Sequence, residues 1–283
     1  MVKCPKCSEE VPWNRSSCLL CGTFVSWPNV RAAEQDQPAL QDRYDHALQD
    51  AVRRKVEGEV RLFESAVGAS RAVINVDLRF LDTFLTSDKP LYSNYFNQVA
   101  AETRRAADYE DDRQRRIVEA ALFGEYAHQI RYAALSIDGR GLVSYGVYSV
   151  GLRDLAIEDR ASLLEENSFT FVEKHDAALR PKPPGYTANW RERGKLAVAK
   201  LTGRITSGTR PGDFGRLLLR SDGDRKKDEF IEVHIYGPLY NAAIETIAGP
   251  GASSFRKSDK LSRALVAKVA ELLRRKGIQF REI

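Results

Sequence analysis

Apolar residues recur at spacings of three and four from Leu40 through Tyr44, Ala47, Leu48, Ala51, Val52, Val56 and Val60 to Phe63, with Arg, Glu, Asp and Gln between them. This is the stripe of an amphipathic helix, and it predicts helix over 30–66, weakened at Gly58 and ended at Gly68. From residue 70 the pattern becomes mixed. Residues 72–76 are a β-branched run, and 145–152, 169–172 and 230–236 alternate like half-buried strands. Helical patterns cover 79–85, 100–123, 190–201 and 258–276, the last stopping at Gly277. A turn is expected at 88–90 and a rigid exposed loop at 180–185, and Asp222-Gly223 between the runs 216–220 and 230–236 predicts a hairpin. The fold class is therefore α+β, divided into a small module at 1–27, a linking helix within 28–69 and a principal domain at 70–283.

The small module is defined by its cysteines. Cys4-Pro-Lys-Cys7 and Cys18-Leu-Leu-Cys21 hold all four cysteines of the chain. Each Cys-x-x-Cys spacing brings two thiolates onto one metal, and the intervening residues suffice for a hairpin that joins the pairs into a tetrahedral Cys4 site, a zinc ribbon. Disulfides or a redox dithiol are the competing reading, but no thioredoxin-like βαβ pattern surrounds the motif. Four protein sulfurs close the coordination sphere, so the Zn2+ is structural and any chemistry lies elsewhere.

The 283 residues carry a net charge of +5. Much of the basicity gathers between Arg256 and Arg281, including Arg274, Arg275 and Lys276. Such a patch attracts phosphates, although a terminal helix with a solvated basic face has the same composition and no aromatic residue interleaves the helical stretch 258–276. No apolar run reaches the roughly 20 residues that span a bilayer, and the first residues lead straight into the metal motif without an apolar leader. The expectation is a cytoplasmic protein that does not contact membranes. The 30–66 stripe either packs on the principal domain or joins a second copy as a homodimer.

Within 230–236, Ile231, Val233 and Ile235 share one face of the strand while Glu232, His234 and Tyr236 share the other. Three polar groups thus project together, as in a catalytic constellation or on the solvated face of an ordinary strand.

Several segments follow one another in a set order: Arg71-Ala-Val-Ile-Asn75, Tyr92-Ser-Asn-Tyr-Phe96, Leu122-Phe-Gly-Glu-Tyr126, Arg131-Tyr-Ala-Ala-Leu135, Tyr145-Gly146, the stretch from Arg160 to Ser168, and Glu232-Val-His-Ile-Tyr-Gly-Pro-Leu239. In this order they resemble a bacterial family, the domain of unknown function numbered 3626, which is related to the ADP-ribosyltransferase fold. The resemblance implies an ADP-ribosyltransferase-like mixed sheet with NAD as substrate and a macromolecular acceptor, as in a toxin or defence effector. It assigns the carboxylate that stabilises the oxocarbenium-like transition state to Glu232, with His234 beside it. Arg71, or else Arg131, would pair with the diphosphate. Asn75 belongs to the same site, Tyr92 would stack on nicotinamide, and Ser93 and Ser168 would bond its amide or the ribose. The chain departs from the family at Val76-Asp-Leu78, where histidine-proline is usual. It lacks the glycine- and serine-rich continuation after Phe96, and Phe230 stands two residues before Glu232, where many toxin transferases carry Gln or Glu. The alternative function is nonenzymatic binding of nucleic acid or the ribosome through the ribbon and the basic C-terminal helix.

Overall fold

The computed structural model describes residues 1–86 and 110–283, apart from residues 226 and 258. Strands β1 (Val2–Lys3) and β2 (Glu10–Val11) pair antiparallel and carry the cysteine knuckles. Helices α1 (Pro28–Gln35), α2 (Gln37–Arg53) and α3 (Glu57–Gly68) follow. The rest is α+β: β3 (Arg71–Val76), α4 (Leu78–Thr86), α5 (Glu110–Phe123), β4 (Ile130–Ser136), β5 (Tyr148–Leu152), α6 (Asp154–Ile157), β6 (Ala161–Leu164) and α7 (Ser168–His175), then β7 (Thr187–Asn189), α8 (Arg193–Leu201), α9 (Phe214–Leu218), β8 (Glu232–Tyr236), β9 (Ile244–Gly249), α10 (Lys260–Arg275) and β10 (Gln279–Glu282).

Among the described residues, eight strands form one mixed sheet in the order β10-β9-β5-β3-β4-β8-β6-β7. The β9–β10 pair is parallel and the others are antiparallel. Alternation along the central strands sorts their side chains between two faces. Ala72, Ile74, Ala133, Leu135, Leu163, Ile231, Val233 and Ile235 enter the main core, with Leu40, Val60 and Phe63 of α2 and α3, Leu196 and Leu201 of α8, and Val269 and Leu273 of α10. Helices α5 and α7 cover the other face through Val118, Phe171 and Val172, which pack with Leu164 of β6.

The single helix expected over 30–66 is three. Pro38 sits in the first turn of α2, and Lys55, at φ 57°, ends that helix by turning the chain left-handed before α3 restarts. The stripe itself is real and is used inside the chain: Leu40, Tyr44, Ala51, Val56, Val60 and Phe63 are buried, while Val52 faces out. Arg54 reinforces the packing, donating to the carbonyls of Thr202 and Ile205 at 2.6 and 2.7 Å.

Two other expectations change type. Residues 169–172 lie in α7, whose first turn is capped by Asn167 Oδ1 accepting from the Phe169 amide at 2.8 Å; four alternating residues cannot outweigh that cap and the burial of Phe171 and Val172 on one helical face. Residues 216–218 belong to α9, where Phe214 and Leu218 are buried four residues apart, so the expected hairpin reduces to one bridge between Arg220 and Glu229. The alternating stretch 145–152 becomes strand only from Tyr148. The turn at 88–90, the first part of the helix expected from residue 100, and Tyr92 and Ser93 lie outside the described residues. Among those described, no helix is long and apolar enough to cross a membrane.

Phe63 measures how far α3 belongs to the main core. It is fully buried, edge-on to Phe214 with centroids 5.4 Å apart. Phe63→Ala should cost about 3–5 kcal/mol and shift the whole denaturant transition of the principal domain. A variant that loses only a small separate transition, or none, would show that the 28–68 segment does not share that core.

Candidate functional site

The polar face of β8 is buried rather than solvated, because α5 and α7 lie over it. Glu232 is 7% exposed, His234 3% and Ser168 2%. Ser168 begins α7, and its amide donates to Glu232 Oε2 at 2.8 Å while its hydroxyl donates to the same oxygen. His234 Nε2 lies 3.2 Å from Glu232 Oε2 and 3.3 Å from Ser168 Oγ. The imidazole is held edge-on by Phe123 and Tyr132, at centroid distances of 4.8 and 5.5 Å. The Ser168 donors fix one carboxylate oxygen of Glu232 in place. The arrangement is not a nucleophilic serine triad, in which the acid would lie on the opposite imidazole nitrogen; here acid and serine crowd the same one.

Lys200 fixes the backbone on both sides of this cluster. Its ammonium donates to the carbonyls of Glu165 and Phe230 at 2.5 and 2.9 Å, and burial pushes it down to about 8. The amide of Asn29 ties the other end, donating to the carbonyls of Arg160 and His234 and to Ser162 Oγ at 3.0–3.1 Å.

Glu232 and Ser168 line a narrow pocket with a cavity volume of about 70 Å³, together with Asn75, Arg115, Glu119, Tyr132 and Tyr145. Glu119 is 2% exposed. Burial pushes its carboxyl up to about 7, the charge of Glu232 adding to the effect, while Arg115 and Tyr132 pull against it. Burial also holds the Tyr132 hydroxyl well above its ordinary value, beside both carboxylates. Tyr132 and Glu119 interact electrostatically, yet neither the Tyr132 hydroxyl nor Glu119 Oε2 makes a well-formed hydrogen bond among the described residues.

Sequence reasoning missed Glu119 and Arg115. The signal was present: Arg115, Val118, Glu119, Leu122 and Phe123 occupy one helical stripe, which places a carboxylate among apolar residues that must face a core.

Of the other expected site residues, Asn75 reaches the pocket, but its side-chain nitrogen is committed to the Gly146 carbonyl at 2.9 Å and Ser149 Oγ at 3.2 Å. Gly146, at φ 152°, allows that approach, since a Cβ there would meet the Val76 backbone at 2.3 Å. Arg71 is an exposed partner of Glu245 at 2.8 Å and does not line the pocket. Arg131 alternates onto the other face of β4 from Tyr132, and it donates to the carbonyls of His128 and Ile130. Among the described residues, the arginine that lines the pocket is Arg115.

The four cysteines meet in the ribbon. Their sulfurs all lie within 4.8 Å of one another, with Cys4–Cys21 at 3.5 Å and Cys7–Cys18 at 3.6 Å, and none is in a disulfide. Metal–sulfur bonds of about 2.3 Å in a tetrahedron put sulfurs about 3.8 Å apart, so the set fits one metal ion. The two knuckles share a turn: Ser8 and Gly22, each just after its second cysteine, adopt φ 61° and 70°. Thr23, through its hydroxyl and its backbone, holds the Cys21 thiol down, while burial and the neighbouring sulfurs push the Cys7 thiol up. Arg31 of α1 joins ribbon to sheet domain, donating to the carbonyls of Trp13 and Arg15 at 2.8 and 2.6 Å, and Trp27 stacks on Tyr236 at 4.9 Å.

Glu119 makes stability depend on pH. Its folded-state value lies above the unfolded one, so the folded chain binds the extra proton between about pH 4.5 and 7. Below that window both states are protonated and the burial of charge costs nothing; above it the full cost is present. Thermal melting should therefore show Glu119→Gln gaining on the wild type as pH rises from 4.5 to 7, with the difference level thereafter. A difference independent of pH would mean that Glu119 is ionised throughout the window.

No protein-family model matches the chain, and no curated protein sequence matches it.

Proposed function

We propose that the chain is an ADP-ribosyltransferase-like protein, akin to the 3626 family, which cleaves the nicotinamide–ribose bond of NAD and modifies a macromolecular acceptor, as a toxin or defence effector would. The observation that carries this reading is the Glu232 carboxylate, buried at the pocket wall and held by the Ser168 amide, the Ser168 hydroxyl and His234. Breaking the bond to nicotinamide builds positive charge on the ribose. A preorganised anion in a water-poor site stabilises that charge and needs no reorganisation at the moment of reaction. Arg115 supplies the cation that a bent dinucleotide's diphosphate calls for, the role sequence reasoning gave to Arg71 or Arg131. A zinc ion held by Cys4, Cys7, Cys18 and Cys21 would shape the ribbon only, since four thiolates leave it no open position. Incubation with NAD, alone and with cell extract as acceptor, should release nicotinamide. Absence of release under every such condition removes the reading.

A nucleic-acid binder is the second reading, favoured by α10, which buries Val266, Val269 and Leu273 and exposes Lys260, Arg263, Arg274 and Lys276. Part of its charge is already paired, Lys268 with Asp82 and Arg275 with Glu271. RNA or DNA affinity that falls steeply with salt, in a protein that leaves NAD intact, would establish it.

A further inference from the structure

The pocket holds two buried glutamates in opposite circumstances. Glu232 Oε2 receives the hydrogen bonds of Ser168 and sits against His234. Glu119 Oε2, on the helix that packs over the strand, makes no well-formed hydrogen bond among the described residues, and neither does the Tyr132 hydroxyl that interacts with this carboxyl. One oxygen of Glu232 is thus occupied by protein donors, whereas Glu119 carries a bare buried oxygen at the wall of the cavity, which a proton can reach. Two carboxyl groups set apart in this way are placed for different roles, one held by protein donors and the other open to the cavity.

We infer that Glu119 is the proton acceptor of this site, taking the hydrogen of the O–H or N–H group that attacks the ribose. The inference rests on the NAD-cleaving reading and extends it. The bond between C1′ and the nicotinamide nitrogen breaks, and its electron pair neutralises the ring's positive charge. A lone pair of the acceptor forms the new bond at C1′. The acceptor's proton passes to Glu119 and from there to solvent, so NAD and the acceptor yield the ADP-ribosylated product, nicotinamide and one proton, with no oxidant or reductant. Tyr132, against Glu119, orients the carboxyl, and Arg115 and Glu232 are the charges that act on its protonation, with the Tyr145 hydroxyl on the same pocket wall.

Nicotinamide release by the wild type, followed from pH 5 to 9, should rise to a plateau with a midpoint near the Glu119 value of about 7. Glu119→Gln should be about a hundredfold slower at the plateau and lose that limb. In Glu119→Ala, added formate should restore part of the rate by occupying the space of the missing carboxyl, an effect that a merely structural role for Glu119 would not produce. A glutamine variant that keeps both rate and limb overturns the inference and leaves the NAD reading standing. So does a wild-type profile without a limb, which decides the matter even if the glutamine variant does not fold. A wild type that releases no nicotinamide with water or cell extract at any pH overturns both.

Discussion

Glu232→Gln should lower nicotinamide release from NAD about a hundredfold to a thousandfold while the melting temperature changes little. The amide has the size of the carboxylate, and its oxygen can still accept the Ser168 N–H that Glu232 Oε2 accepts at 2.8 Å. What disappears is the negative charge, and loss of one preorganised electrostatic group carries a cost of that order. The outcome differs from that expected at Glu119. There the loss lies on the acceptor side and varies with pH, whereas removing the charge of Glu232 acts on bond breaking and should persist across the pH range. Equal rates for wild type and glutamine variant would take the chemistry away from Glu232.

Metal removal is the second large effect. Thiolate sites of this kind bind zinc with apparent free energies of about 10–16 kcal/mol near neutral pH in small modules, and that binding energy is folding energy. The purified chain should contain about one zinc ion, and a strong chelator or Cys18→Ser should unfold the ribbon. The sheet domain, with its own core, should survive at a lower melting temperature. Arg31 provides the reason for the lowering: it is 5% exposed and its hydrogen-bond acceptors among the described residues are carbonyls of the ribbon, so melting the ribbon strands a buried cation. Fluorescence of Trp27, stacked on Tyr236, should report the change. Protein prepared without chelator that contains no metal would refute the site.

What the sequence made legible was what local pattern determines. The cysteine spacing specified the metal cluster because ligand geometry needs only a few neighbouring residues. Alternation in 230–236 placed Glu232 and His234 on one face because the strand period is fixed. That face could not be called buried or solvated from the strand alone, since its cover comes from α5 and α7, remote in the chain. The same distance hid Glu119. Arg71 and Arg131 were attractive as arginines near a predicted strand, but one lies at an exposed strand end beside Glu245 and the other has the parity of the opposite face. The misassigned strand at 169–172 shows that four residues carry too little periodicity against one good cap.

The hydrogen bonds of Asn29 bear on how this chain comes to be folded. They join residues as far apart as 29 and 234, and Arg54 likewise waits for Thr202 and Ile205. Closing such long loops precedes any return from the contacts, which makes folding slow. At a synthesis rate of about 5–20 residues per second, α2 and α3 leave the ribosome roughly 7–30 seconds before α8 can cover their apolar stripe. During that interval Leu40, Val60 and Phe63 are bare, while the ribbon needs only its own short segment and a metal ion to close. The metal module is thus finished while the helical face that follows it is not, and that face is where a chaperone or a protease would take hold.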